Sequence, residues 1–154
     1  MLSQKLPRLE ARMTTSPKYI LALDYGTSRI GVALASTAAR LPEPLTTIYN
    51  DPKLFDNIRQ IAKEQDISQV VVGLPRDMRG ERTQQTALVE AFVDKLAKEI
   101  ELPIEAQDEA VTSIKAEEEL VSRNKNYTKE DIDALSAAYI LEDWLKDHDQ
   151  EIID

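Results

Sequence analysis

The 154-residue chain has no cysteine and a single histidine, His148. Without thiols, disulfides, thiolate metal sites and a cysteine nucleophile are excluded. His148 lies in a polar stretch beyond the last apolar run, so any metal bound by this chain has to be held by oxygen. No apolar run approaches the ~20 residues that span a bilayer, and the first residues lack the continuous apolar centre of a secretory signal. These absences predict a cytoplasmic protein without membrane contact. Positive charge is short as well: 19 Lys and Arg face 28 Asp and Glu, a net charge of −9. Coating nucleic acid draws on basic residues in number, so that class is disfavoured. A nuclease is not, because it needs only a local basic rim, and carboxylates clustered at a metal site make the total more negative.

What is present is a globular composition, 42% hydrophobic and 31% charged, in a length that suits one α/β core. Residues 1–17 carry Lys5, Arg8 and Arg12 without a sustained period and end in Thr-Thr-Ser-Pro; they read as a flexible tail. Residues 18–147 are the expected domain, and 148–154 a polar C-terminal tail.

Within the domain, Tyr19-Ile-Leu-Ala-Leu23 is a nearly continuous apolar run, the pattern of a strand buried on both faces, and it ends in Asp24. Ile30–Ala35 follows closely enough to pair with it as a hairpin, and Leu45–Tyr49 supplies a third, β-branched strand. Leu54, Ile58 and Ile61 recur at helical spacing before a fourth strand at Gln69–Gly73. A second helix carries the stripe Leu88, Phe92, Val93, Leu96 and Ile100, and Pro103–Gln107 is the fifth strand. A short helix at 113–123 precedes a last helix that Thr128 and Asp131 open as a capping box and that runs to Lys146. The order βββαβαβαα predicts an α/β fold with a mixed five-stranded sheet covered by helices on both faces. Ligands in such folds gather beyond the carboxyl ends of the parallel strands.

Acids stand at those ends. Asp24 closes the first strand, and Asp108 and Glu109 follow the fifth. Asp133 shares a helix side with Ala137, Ile140 and Trp144, so it is partly dehydrated and needs a partner. The small run Ala134, Ser136, Ala137, Ala138 lets that helix lie close to the sheet, whereas Asp131 is explained by its cap. Convergent carboxylates with no Cys or His suit Mg²⁺ or Mn²⁺, and such ions activate water and stabilise the in-line displacement at a phosphodiester. Arg76, Arg79 and Arg82, in the loop after the fourth strand, are candidate phosphate clamps.

Four blocks carry a resemblance to a known family: Leu23-Asp-Tyr-Gly-Thr-Ser-Arg-Ile-Gly-Val-Ala33, Val71-Val-Gly-Leu-Pro75, Asp108-Glu109 after a strand, and Ile132-Asp-Ala-Leu-Ser-Ala137. In this order, and together covering nearly all of the chain after Lys18, they resemble the YqgF/RuvX family of Holliday-junction resolvases and pre-16S rRNA nucleases. The resemblance implies an RNase H-like fold, with catalytic acids on Asp24, on Glu109 or Asp108, and on Asp133. It implies a nucleic-acid partner, either precursor rRNA or branched DNA. Arg29, inside the first block, joins the three loop arginines as a candidate substrate contact. The chain departs from the family at Ala110, where arginine is usual, at Asp77, where asparagine is usual, and in lacking a basic residue just before the last acid. A resolvase acting symmetrically on a four-way junction is expected to form a homodimer, whereas trimming an rRNA end does not require one, so monomer and homodimer both stay open. Two other classes fit parts of the pattern: a non-catalytic transcription or ribosome-assembly adaptor with the same fold, and an ATP-binding actin-like module suggested by Asp24-Tyr-Gly-Thr27. The second is opposed by size, since such proteins close two lobes around the nucleotide.

Overall fold

In the computed structural model, which describes residues 18–110, 112–123 and 126–149, strand alternation decides the architecture. The strands are β1 (Tyr19–Tyr25), β2 (Arg29–Ser36), β3 (Glu43–Tyr49), β4 (Ile67–Pro75) and β5 (Ile104–Glu109). They form one sheet in the order β3-β2-β1-β4-β5. The first three pair antiparallel, and β4 runs parallel to both β1 and β5. Four helices complete the chain: α1 (Leu54–Glu64), α2 (Gln84–Glu99), α3 (Thr112–Ser122) and α4 (Lys129–Asp147). The order βββαβαβαα is the one expected from the sequence. Residues 1–17, read there as a tail, and 150–154 lie outside the described residues.

Successive side chains of a strand point to opposite faces. Leu21, Leu23, Ile30, Val32, Val70 and Val72 pack with Leu54, Ile58, Val89, Phe92 and Leu96 under α1 and α2. Ile20, Ala22, Ala33, Ala35 and Val71 face the other way, onto α4 and Leu120 of α3. Both faces of the sheet are thus covered. The α4 side is built from small residues, and there glycine is required. A Cβ on Gly31 would stand 1.9 Å from the backbone oxygen of Asp133, and one on Gly73 would meet the Ile140 side chain at 2.4 Å. The small residues of α4 anticipated this approach, and ten residues of that helix are buried.

Caps and phases account for the helix boundaries. Thr128 and Asp131 form the anticipated capping box, with Asp131 N–H donating to Thr128 Oγ1 at 3.2 Å and Thr128 N–H to Asp131 Oδ2 at 2.9 Å. Thr83 and Thr86 make a second box at the start of α2. The stripe expected for α2 needs a correction: Leu88 is exposed, and Val89 occupies the core with Phe92 and Leu96. Val89, Phe92 and Leu96 are spaced three and four apart and share one side, and Leu88 lies beyond the edge of that side, about 100° from Val89. His148, placed by the sequence in a polar tail, is the C-cap of α4. Its ring stacks on Trp144 at 4.0 Å, and both side chains meet the Glu105 carboxylate of β5. Among the described residues no helix is long and apolar enough to cross a membrane.

Candidate active site

Asp24 is paired with Gly31 in the β1–β2 ladder and continues the Ile20, Ala22 row, so its side chain points to the α4 side of the sheet. On β5 the same parity holds for Glu105, which bonds Trp144 of α4, and for Gln107, which bonds Asp147. Glu109 continues that row. Arg29 belongs to the Gly31, Ala33 row of β2, and α4 brings Asp133 down over Gly31. Asp24, Arg29, Glu109 and Asp133 therefore share one side of the sheet. All lie toward the carboxyl ends of the parallel strands.

Electrostatics joins them. Burial, followed by the charge of Asp133, pushes the Asp24 carboxyl up to about 7. Glu109 is pushed up to about 9, first by burial and then by its hydrogen bond and repulsion with Asp143, with Asp24 adding and Lys115 opposing. One oxygen of Glu109, Oε1, is buried and has no hydrogen-bond partner. A buried polar atom without a partner is costly, and burial and neighbouring acids drive both carboxyls toward the neutral form. Asp133 is differently placed: Arg29 Nε donates to its Oδ2 at 2.6 Å, with 26% of the arginine side chain and 23% of the aspartate exposed. Its expected need for a partner is met by this arginine.

Asp108 points the other way. Its side chain is 67% exposed and pairs with Arg76 at 3.3 Å. Asp143 was not singled out in the sequence, although it is the neighbour that most disturbs Glu109 after burial itself. Helical spacing is the signal that could have found it: Asp143 lies three residues after the buried Ile140 and four before Asp147, which bonds Gln107 of β5.

The loop between β4 and α2 treats its three arginines unequally. Arg76 is tied to Asp108 and Arg82 to Glu90. Arg79 is exposed and has no acidic partner among the described residues. Beside it Met78 is 92% exposed. Asp77 organises this tip, its Oδ1 accepting from the backbone N–H of Arg79 at 2.9 Å and of Glu81 at 2.8 Å. Gly80 completes the turn at φ 79°. An asparagine side chain could accept the same two bonds, so this substitution preserves the turn chemistry.

Oxygen donors, an unpartnered buried Glu109 oxygen and two carboxyls held toward neutrality fit a hard divalent cation. The site is not a finished cage, since among the described residues no three acidic or histidine side chains are gathered as a ligand set. Asp133 is turned to Arg29 instead.

The family described as "RuvX: Holliday junction resolvase" matches residues 18–147. A Chloroflexus aurantiacus protein named "Putative pre-16S rRNA nuclease" is 42% identical over 130 residues, covering 82% of this chain and 85% of its own. A protein of the same name from Sulfurihydrogenibium is 41% identical over 128 residues, covering 82% and 88%. Among solved structures, Thermus thermophilus RuvC matches with a TM-score of 0.50 at 13% identity, covering 85% of this chain and 96% of that one. At that identity the likeness speaks for the fold, and the fold agrees with the RNase H-like architecture expected from the sequence.

Proposed function

This chain belongs to the RuvX family, and from that premise we propose that it is a nuclease hydrolysing phosphodiester bonds with a divalent cation, Mg²⁺ or Mn²⁺, held by Asp24, Glu109 and Asp133. The observation that carries the reading is the coupling of Asp24 to both other acids on one side of the sheet. The relatives' names and the family description offer two substrates, the precursor end of 16S rRNA and the four-way DNA junction. The first is favoured by the relatives that match at about 40% identity. When bound, the cation would supply an activated water and charge stabilisation for the in-line displacement.

The chain's own residues prepare for this. Asp24 is buried and raised toward neutrality, and Glu109 keeps one buried oxygen without a partner, so a cation would lower their cost of ionisation. Burial limits water around them, which strengthens every charge interaction at the reacting phosphate. Arg79 stands free to meet a phosphate flanking the scissile one. Asp108 is assigned no metal role, because it faces away and is bound to Arg76. The test is a cleavage panel of precursor 16S rRNA ends, single-stranded RNA and junction DNA, run with Mg²⁺, with Mn²⁺ and with chelator. Cleavage of at least one substrate that chelator abolishes is expected. Cleavage that survives chelator contradicts the metal role, and purified protein inert on the whole panel favours an adaptor.

A further inference from the structure

We propose that Arg29 is a built-in rival of the divalent cation for Asp133, a positioning residue that holds this acid until metal displaces it and then turns to the substrate phosphate. The inference rests on the nuclease reading and adds to it the state of the site before metal arrives.

Three observations carry it. The ion pair is close, at 2.6 Å, and about three-quarters of each side chain is shielded from solvent, so it is stronger than a surface pair. It also occupies Asp133 Oδ2, one of the two oxygens this acid could offer a cation, and a guanidinium and a divalent cation on one carboxylate repel each other. Asp24 nevertheless feels the charge of Asp133, so the pair lies within electrostatic reach of the acids that lack a cation.

The second observation is how firmly the arginine backbone is held. Arg29 opens β2 opposite Tyr49. The preceding turn is closed by Asn50, whose N–H donates to Ser28 O at 2.9 Å and whose Nδ2 donates to Gly26 O at 2.9 Å. Movement is thus left to the side chain, within a surround that includes Glu130 and Tyr49 besides Asp133.

The third concerns what the guanidinium leaves open. Nε alone is engaged, and among the described residues the two terminal nitrogens of Arg29 make no hydrogen bond. Those nitrogens form the edge that grips a phosphate in two-point fashion. Once a cation takes Asp133, Arg29 is free to meet the anion the acids act upon.

The experiment is Mn²⁺ titration by calorimetry of the full chain, for the parent, Arg29→Gln, Asp133→Asn, the double variant and Asp24→Asn. Arg29→Gln should bind Mn²⁺ about tenfold more tightly, as expected when one partly buried competing pair is removed. In the Asp133→Asn background the same change should give no gain, because the competition runs through that carboxylate. An undiminished gain there would reveal a general charge effect and overturn the proposal, as would unchanged affinity in the single variant. If Arg29→Gln does not fold, the parent still decides: adding Mg²⁺ should move the Arg29 Nε–H resonance toward that of a solvent-exposed arginine, and an unmoved resonance is contrary. Loss of binding in Asp24→Asn with no effect of Arg29→Gln would leave the nuclease site standing and remove only the rivalry. A parent that binds no Mn²⁺ removes both.

Discussion

A carboxylate at the end of an apolar strand is readable from sequence because alternation and solvation are local. Asp24 and Asp133 were legible on those grounds, the first from the run it ends and the second from its helix neighbours. The choice between Asp108 and Glu109 was not, because β5 is an edge strand whose alternation is weak. Its parity emerges only when Glu105 and Gln107 are seen to meet α4. Arg29 and Asp133 lie 104 residues apart, and no spacing rule spans that distance. The acids also make a pH prediction for the metal-free protein. Asp24 ionises near 3.8 in the unfolded chain and at about 7 when folded. The folded state therefore holds this proton more tightly, and the stability it contributes is fully present below about pH 4 and falls as pH rises toward and through 7. Glu109 extends the loss to about 9. In chelator, Asp24→Asn should thus raise the thermal midpoint at pH 8 by about 3 °C or more and change it little at pH 4. A midpoint lowered at pH 8 would mean that the carboxylate is stabilised by a contact other than a metal.

At the scale of elements, α4 was legible in both its cap and its small face. What the sequence could not supply was the surface that face meets. Gly31 lies under the Asp133 backbone so closely that a methyl group has no room. Gly31→Ala should cost more than about 2 kcal/mol, in the range of overpacked cores, measured by urea denaturation, and should weaken Mn²⁺ binding by displacing Asp133. A variant of parental stability would show that α4 adjusts freely. In the stripe of α2 only Leu88 was misplaced, Val89 taking its place beside Phe92, Leu96 and Ile100, because both neighbours are apolar and tertiary packing alone selects between them. In the loop before it, the sequence offered three equivalent arginines, and the structure separates them by their partners. Arg79→Ala should account for most of the nucleic-acid affinity lost when all three are replaced, and should reduce the salt slope by about one. An equal effect from Arg76→Ala or Arg82→Ala would mean that their pairs with Asp108 and Glu90 open on binding.

For the whole molecule, the sheet divides two cores, and the division explains how an acidic chain can act on a polyanion. One side, under α1 and α2, is apolar and supplies stability. The other is lined by small residues where α4 approaches, and its acids collect where the parallel strands end. The net charge of −9 reflects acids spread along the chain, and in the proposed function Arg79 of the loop supplies the local basic contact. Element order and the two-faced sheet were legible because they follow from periodicity. The gathering of the acids depends on the register of β1, β4 and β5 and on where α4 packs over Gly31, which no single segment encodes. The account stands on Asp24 as a metal-binding acid at the centre of a nuclease site. Its most direct test is Mn²⁺ affinity by calorimetry together with turnover of whichever panel substrate is cleaved, for the parent, Asp24→Asn and the cap variant Asp131→Asn. The account predicts that Asp24→Asn loses Mn²⁺ binding and at least about 100-fold in turnover, the scale of removing one charge-stabilising group, while Asp131→Asn stays close to the parent. Parental affinity and turnover in Asp24→Asn would contradict it.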